Sequence, residues 1–89
     1  MYKIVQYGSA ACPACDALNT KLNEWLNTHK DVEYAYVSVE MEPAVAAQNG
    51  VFSVPAIVVY RDDKELERRA GYFSLEELLE RVEELKARG

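Results

Sequence analysis

"KIVQYGSAACPACDAL", residues 3–18, contains the only two cysteines of the chain, Cys12 and Cys15, separated by Pro13 and Ala14. The residues before the pair, 2–7, alternate and are rich in β-formers, which predicts a strand. Residues 8–11 are small and turn-like. After the pair, Leu18, Leu22, Trp25 and Leu26 recur at i, i+4, i+7 and i+8, the stripe of an amphipathic helix that residues 27–30 end. The cysteines therefore stand where a strand turns into a helix.

Three chemistries fit a C-x-x-C pair, and the residues weigh them unequally. A structural bridge here closes a loop of four residues, worth roughly 2 kcal/mol by chain entropy, well below what a long loop yields. A structural zinc site needs four ligands. This chain adds only His29 to the two thiols, at the far end of the helix, so zinc within one chain is disfavoured and a site shared between two chains stays open. A reactive pair suits the local physics best. With Cys12 as N-cap, Pro13 occupies the first helical position, where its missing N–H costs nothing. The unpaired N–H groups and positive end of the helix then favour a thiolate at Cys12. Cys15, on the first turn, is near enough to attack a mixed disulfide on Cys12, and the small residues 8–11 are expected to leave the Cys12 sulfur accessible. A C-x-x-C between strand and helix in a βαβ pattern is a specific redox signature.

Working outward, residues 32–39 form a second predicted strand, and residues 40–50 a short helix entered at Pro43 and closed by Asn49 and Gly50. Residues 55–60, nearly all apolar, predict a strand buried on both faces. A tight turn at 61–65 leads into a charged strand, 65–70, suited to a sheet edge. Gly71 ends it. Ser74 with Glu77 makes a capping-box pattern, and Leu75, Leu78, Leu79, Val82 and Leu85 supply the stripe of a last helix, with Glu76, Glu77, Glu80, Glu83 and Glu84 on its solvated face. The order is β-α-β-α-β-β-α, an α/β layering around a four-stranded sheet with the first strand in mid-sheet.

With 89 residues, one domain spanning 1–89 is expected. A 49% hydrophobic, 28% charged composition is that of an ordinary globular chain. The net charge of −5 argues against nucleic acid. Residues 31–89 hold thirteen acidic and seven basic residues, so the acidity lies away from the cysteines. No run is long enough for a membrane span, and residues 1–7 lack the pattern of a secretory signal, so a cytoplasmic, membrane-free protein is expected. A permanent bridge is unusual in that compartment.

Over nearly its whole length the chain resembles the thioredoxin superfamily, through the strand "KIVQY" before "CPAC", the strand "VSVE", the segment "VFSVPAIVVY" and the run "RAGYFSLEELLERV". The resemblance implies a thioredoxin fold with a mixed four-stranded sheet flanked by helices, and a protein disulfide oxidoreductase. Cys12 would be the nucleophile and Cys15 the more buried resolving thiol, the pair cycling through a Cys12–Cys15 disulfide. Pro55 would be cis, with the Val54 backbone offered to an extended substrate. Pro13, Ala14 and Gly71 would line the substrate groove, with Ser53 and Tyr72 on its rim. No bound metal or organic cofactor is implied. The partners would be disulfide-containing proteins and a thioredoxin-reductase-like electron donor, the chain acting as a monomer.

Departures from the family pattern are equally informative. Where typical members carry a buried aspartate six residues before the first cysteine, this chain has Gln6, which cannot act as a base. Tyr36 stands where a neighbouring lysine is usual, and Ala11 where tryptophan is. Asp16 follows the second cysteine, and its charge opposes a thiolate at Cys12. Proline directly after the nucleophile is more like glutaredoxins, which makes a glutathione-dependent reductase the rival enzyme. "RAGYFS" lacks the Gly-Gly and acidic residue with which glutaredoxins hold glutathione. A non-catalytic redox-sensing or binding module is the alternative outside enzymes. His29, predicted near Lys30 at the end of the first helix, reads as a residue interacting with the carboxyl-end dipole rather than a catalytic group.

Overall fold

A computed structural model describes residues 1–88. Its elements run β1 (Tyr2–Gly8), α1 (Pro13–Asn27), β2 (Val32–Ser38), α2 (Pro43–Gln48), β3 (Ala56–Arg61), β4 (Lys64–Ala70) and α3 (Leu75–Ala87). The sheet order is β2-β1-β3-β4, with β1 in mid-sheet as expected. β1 runs parallel to β2 and antiparallel to β3, and β3 antiparallel to β4, so the sheet is mixed.

Burial explains the patterning. Residues 56–59 of β3 are at most 1% exposed, because β3 lies between β1 and β4 with apolar layers on both faces. Alternation along β1 divides the core in two. Ile4 faces the layer of α1 and α3, packing with Leu22, Ile57, Leu78 and Val82. Val5 and Tyr7 face α2, with Val37, Ala46 and Val58. Charged β4 is an edge strand, and a register shift between Val59 and Tyr60 bends its pairing.

Local chemistry places the helix starts. The Ser74 Oγ accepts the Glu77 backbone N–H at 3.2 Å, capping α3. Most element bounds differ from expectation by a few residues, and two of the differences bear on the site. β1 extends through Gly8, which pairs with Ser38 instead of opening the turn. β3 begins at Ala56, because Pro55 has no N–H to give a ladder and follows a cis Val54–Pro55 bond. His29 lies just past α1, stacked on Trp25 at a ring separation of 3.7 Å. Its Nδ1 is 2.7 Å from the Trp25 carbonyl oxygen and its Nε2 2.9 Å from Glu83, a structural position that agrees with the helix-end expectation.

Candidate active site

Cys12 is the N-cap of α1, and Pro13 opens the helix. The Cys15 N–H donates to the Cys12 carbonyl oxygen at 3.0 Å and also to the Cys12 Sγ at 3.1 Å, so a main-chain donor is directed at the first sulfur. The two cysteines are joined in a disulfide, with their Cα atoms 5.2 Å apart. This is the oxidised state of the pair.

Around the bridge, three segments far apart in sequence form a groove of about 330 Å³. Cys12, Pro13 and Ala14 form one side, Val54 and Pro55 another, and Gly71 and Tyr72 the third. The Gly71 N–H donates to the Pro55 carbonyl oxygen at 2.9 Å, tying two of these segments together. Gly71 has φ 77°, a conformation that favours glycine. Tyr72 is fully exposed beside it. A second hollow of about 260 Å³ continues from Ala14, Pro55 and Tyr72 towards Lys21 and Glu76, which form an ion pair at 3.5 Å.

Two expectations about this region need correction. Cys12 is only 9% exposed, so its sulfur is far less open than the small residues 8–11 suggest. Ala10 and Ala11 are exposed, as expected. Across the groove from Cys12 stands the Val54–Pro55 segment, some forty residues away in sequence. Cys12 nonetheless lines the groove, whereas Cys15, 2% exposed, lies behind it. Ser53 is not on this rim. It lines a separate hollow with Phe52, Pro43 and Ala47 against α2. Pro13, Ala14, Val54, Pro55, Gly71 and Tyr72 all line the one groove.

Gln6 is fully buried, the only buried polar or charged residue among those described. Its Nε2 donates to the Cys15 carbonyl oxygen at 3.2 Å. Its Oε1 accepts from Asn19 Nδ2 at 2.9 Å and from the Tyr34 hydroxyl at 2.7 Å, and Asn19 Nδ2 donates to the Tyr34 oxygen at 2.8 Å. Burial pushes the Tyr34 phenol up from its ordinary 10.0, which outweighs the opposing hydrogen bond from Asn19, so it stays a neutral donor. The sheet register does set Tyr36 opposite Gln6. Tyr36, however, lies exposed over Gly8, and the bond to Gln6 comes from Tyr34 one turn of the pleat earlier. Neither Asn19 nor Tyr34 stands out in the sequence. The available signal is that Asn19, four residues after Cys15, is polar on the same stripe as Leu22 and Leu26. The Glu40 Oε1 accepts the Ala10 N–H at 2.7 Å, tying the turn before Cys12 to the segment after β2. Asp16 is exposed at the helix start. Among the described residues, no group of three or more His, Cys, Asp or Glu side chains could hold a metal ion.

Known proteins resemble this chain in both sequence and fold. The thioredoxin family model fits residues 2–84. This chain belongs to the thioredoxin family. It is 36% identical over 61 residues to the thioredoxin of Methanocaldococcus jannaschii, a match covering 67% of this chain and 72% of that protein. To Thioredoxin-1 of Schizosaccharomyces pombe it is 26% identical over 68 residues, covering 76% of this chain and 66% of the relative. Thioredoxin 1 of Thermosipho africanus superposes with a TM-score of 0.85 at 27% identity, covering 96% and 98% of the two chains. The fold is that of thioredoxins, and its cysteine pair is that of a thiol–disulfide oxidoreductase. As a family, thioredoxins act on disulfides and are served by reductases. Among the described residues, no helix is long and apolar enough to cross a membrane.

Proposed function

We propose that this thioredoxin-family chain reduces disulfides in protein targets, with Cys12 as attacking thiolate and Cys15 as resolving thiol. The observation that carries the assignment is the asymmetry of the pair: Cys12 lines the groove and receives the Cys15 N–H, while Cys15 lies behind it. In the first step the Cys12 thiolate attacks one sulfur of the target disulfide. That S–S bond breaks, a Cys12–target mixed disulfide forms, and the other target sulfur leaves as thiolate. Cys15 then gives its proton to solvent and attacks the Cys12 sulfur. The Cys12–Cys15 bond forms, and the second target sulfur leaves and is protonated. The target gains two electrons and two protons, and the dithiol loses them.

An extended target segment would lie in the groove between Pro13 and Ala14 on one side and Val54, Pro55 and Gly71 on the other. Thiol exchange requires no bound metal or organic cofactor. Renewal of the dithiol requires an electron donor, for which we propose a thioredoxin-reductase-like flavoprotein. The chain would work as a single-domain monomer in the cytoplasm.

Insulin-disulfide reduction tests the assignment. The protein should accelerate precipitation well above dithiothreitol alone, and Cys12→Ser should abolish the gain. No acceleration by the parent protein refutes the enzyme and favours a redox-sensing module. Supplying electrons through thioredoxin reductase or through glutathione with its reductase identifies the donor, and turnover with glutathione alone would overturn the flavoprotein assignment. Equilibration with a glutathione buffer gives the direction: a potential near about −270 mV marks a reductant, and one near about −120 mV an oxidant.

A further inference from the structure

Among the described residues, the chain buries one polar side chain, Gln6, and ties it to the main chain of Cys15. The arrangement behind it is closed. Asn19 Nδ2 has two hydrogens and spends them on Gln6 Oε1 and the Tyr34 oxygen, and the Tyr34 hydroxyl spends its one hydrogen on Gln6 Oε1. Three elements meet in this triangle: β1 through Gln6, α1 through Asn19 and β2 through Tyr34. None of the three side chains is ionised, so gain or loss of a proton at the thiols leaves the triangle unchanged. Its single bond outward, from Gln6 Nε2, ends on the carbonyl oxygen of Cys15.

We infer that the Gln6–Asn19–Tyr34 triangle is a positioning device for the second thiol, holding the Cys15 main chain in place while sulfur–sulfur bonds exchange. The inference rests on Cys15 being the resolving thiol. In the oxidised protein the bridge itself fixes the two Cα atoms at 5.2 Å. Once the bridge opens, that restraint is gone, and Cys15 sits in the first turn of α1, where helices are held least well. The second step then depends on the Cys15 sulfur approaching the Cys12 sulfur in line with the bond being broken. Small misplacements of reacting atoms slow such steps steeply. A buried donor on the Cys15 carbonyl, out of reach of competing water, keeps that turn docked on β1 through both redox states. Satisfying a buried amide is the ordinary duty of such a network, but that duty alone predicts a loss of stability and no effect confined to one step.

Stopped-flow reaction of the reduced protein with an aromatic disulfide, 5,5′-dithiobis(2-nitrobenzoate), separates the steps. The first coloured thiolate is released on capture by Cys12 and the second on resolution by Cys15. In Gln6→Leu the first release should stay within about twofold of the parent and the second slow by about tenfold, the scale of one buried hydrogen bond lost at the reacting group. Tyr34→Phe, which deletes a single hydroxyl and preserves the packing of the ring, should slow the second release by about threefold and keeps the test open if Gln6→Leu fails to fold. Val82→Ala, a core truncation on α3, lowers stability without touching the triangle and should alter neither release. An unchanged second release in Tyr34→Phe and Gln6→Leu, an equal slowing of both releases, or the same defect in Val82→Ala overturns the inference. Failure of the underlying assignment looks different: Cys15→Ser would still give two releases, or Cys12→Ser would still give the first.

Discussion

Reducing the Cys12–Cys15 bridge should lower the thermal stability of the fold by a calculable amount. The bridge closes a loop of four residues, for which chain entropy gives about 2 kcal/mol in favour of the oxidised protein. One effect opposes this. A thiolate at Cys12 gains from the amino-terminal end of α1, and the Cys15 N–H already points at its sulfur at 3.1 Å. Interactions of that kind are worth about 0.3–1 kcal/mol. Loop closure therefore wins, by about 1–1.5 kcal/mol. For a domain of this size the difference corresponds to about 5–10 °C in Tm. Calorimetry on the oxidised protein and on protein held reduced by a phosphine at pH 7 measures it directly. A thermodynamic cycle links the gap to the redox couple, since about 30 mV corresponds to 1.4 kcal/mol for two electrons. Folding should thus make the potential about 20–30 mV more negative than in the unfolded chain. A reduced protein that melts at or above the oxidised one refutes the reasoning, because the helix end would then outweigh the loop and the fold would favour the dithiol.

Further expectations concern the frame and the groove. Ser74→Ala removes the acceptor that caps α3 and should cost about 1 kcal/mol, read from the urea midpoint with an unchanged m-value. Leu22→Ala, at a fully buried position between α1 and the sheet, should cost about 2–5 kcal/mol in the same titration. Burial pushes the Glu67 carboxyl up, but hydrogen bonds from Arg69 and Arg81 outweigh it and hold the group below its ordinary 4.5. A carboxyl depressed in the fold contributes stability above pH 4.5 that is lost as pH falls through its folded value, so Glu67→Gln should flatten the acid side of the stability curve below pH 4.5. Because both arginines are partly exposed, the effect should stay under about 1 kcal/mol. Tyr72→Ala removes an exposed ring from the groove rim; it should raise KM for insulin by about fivefold and leave Tm unchanged, and an unchanged KM would remove Tyr72 from the substrate surface.

The layering was legible because periodicity and burial share a cause. The run at 55–60 is apolar throughout since β3 has a packed layer on each side, and the stripes of α1 and α3 are what face the sheet. The groove was legible only through family resemblance, since its walls come from segments around residues 12, 54 and 71 that no local pattern connects. For the same reason small sequence neighbours are a poor guide to the exposure of Cys12, which lies in a groove completed by segments some forty and more residues away. Gln6 was conspicuous as a departure, whereas its partners were not. Asn19 is one polar residue on an apolar stripe, and Tyr34 lies in a strand where tyrosines alternate, so the family resemblance pointed to Tyr36 beside Gln6, whereas the hydrogen bond comes from Tyr34. Side-chain reach across three elements decided that choice, and reach is a property of the assembled layers.

The hydrogen bond from Gly71 to Pro55 has a consequence for whatever enters the groove. It joins two loops sixteen positions apart into one rim, and the ordering of those loops is completed during folding. Loops that stiffen only on contact make a ligand bear their lost freedom, commonly about 0.5–1.5 kcal/mol for each side chain immobilised. A partner meeting this rim has mainly its own flexibility to surrender, so loosely structured segments around a disulfide should gain most from docking here.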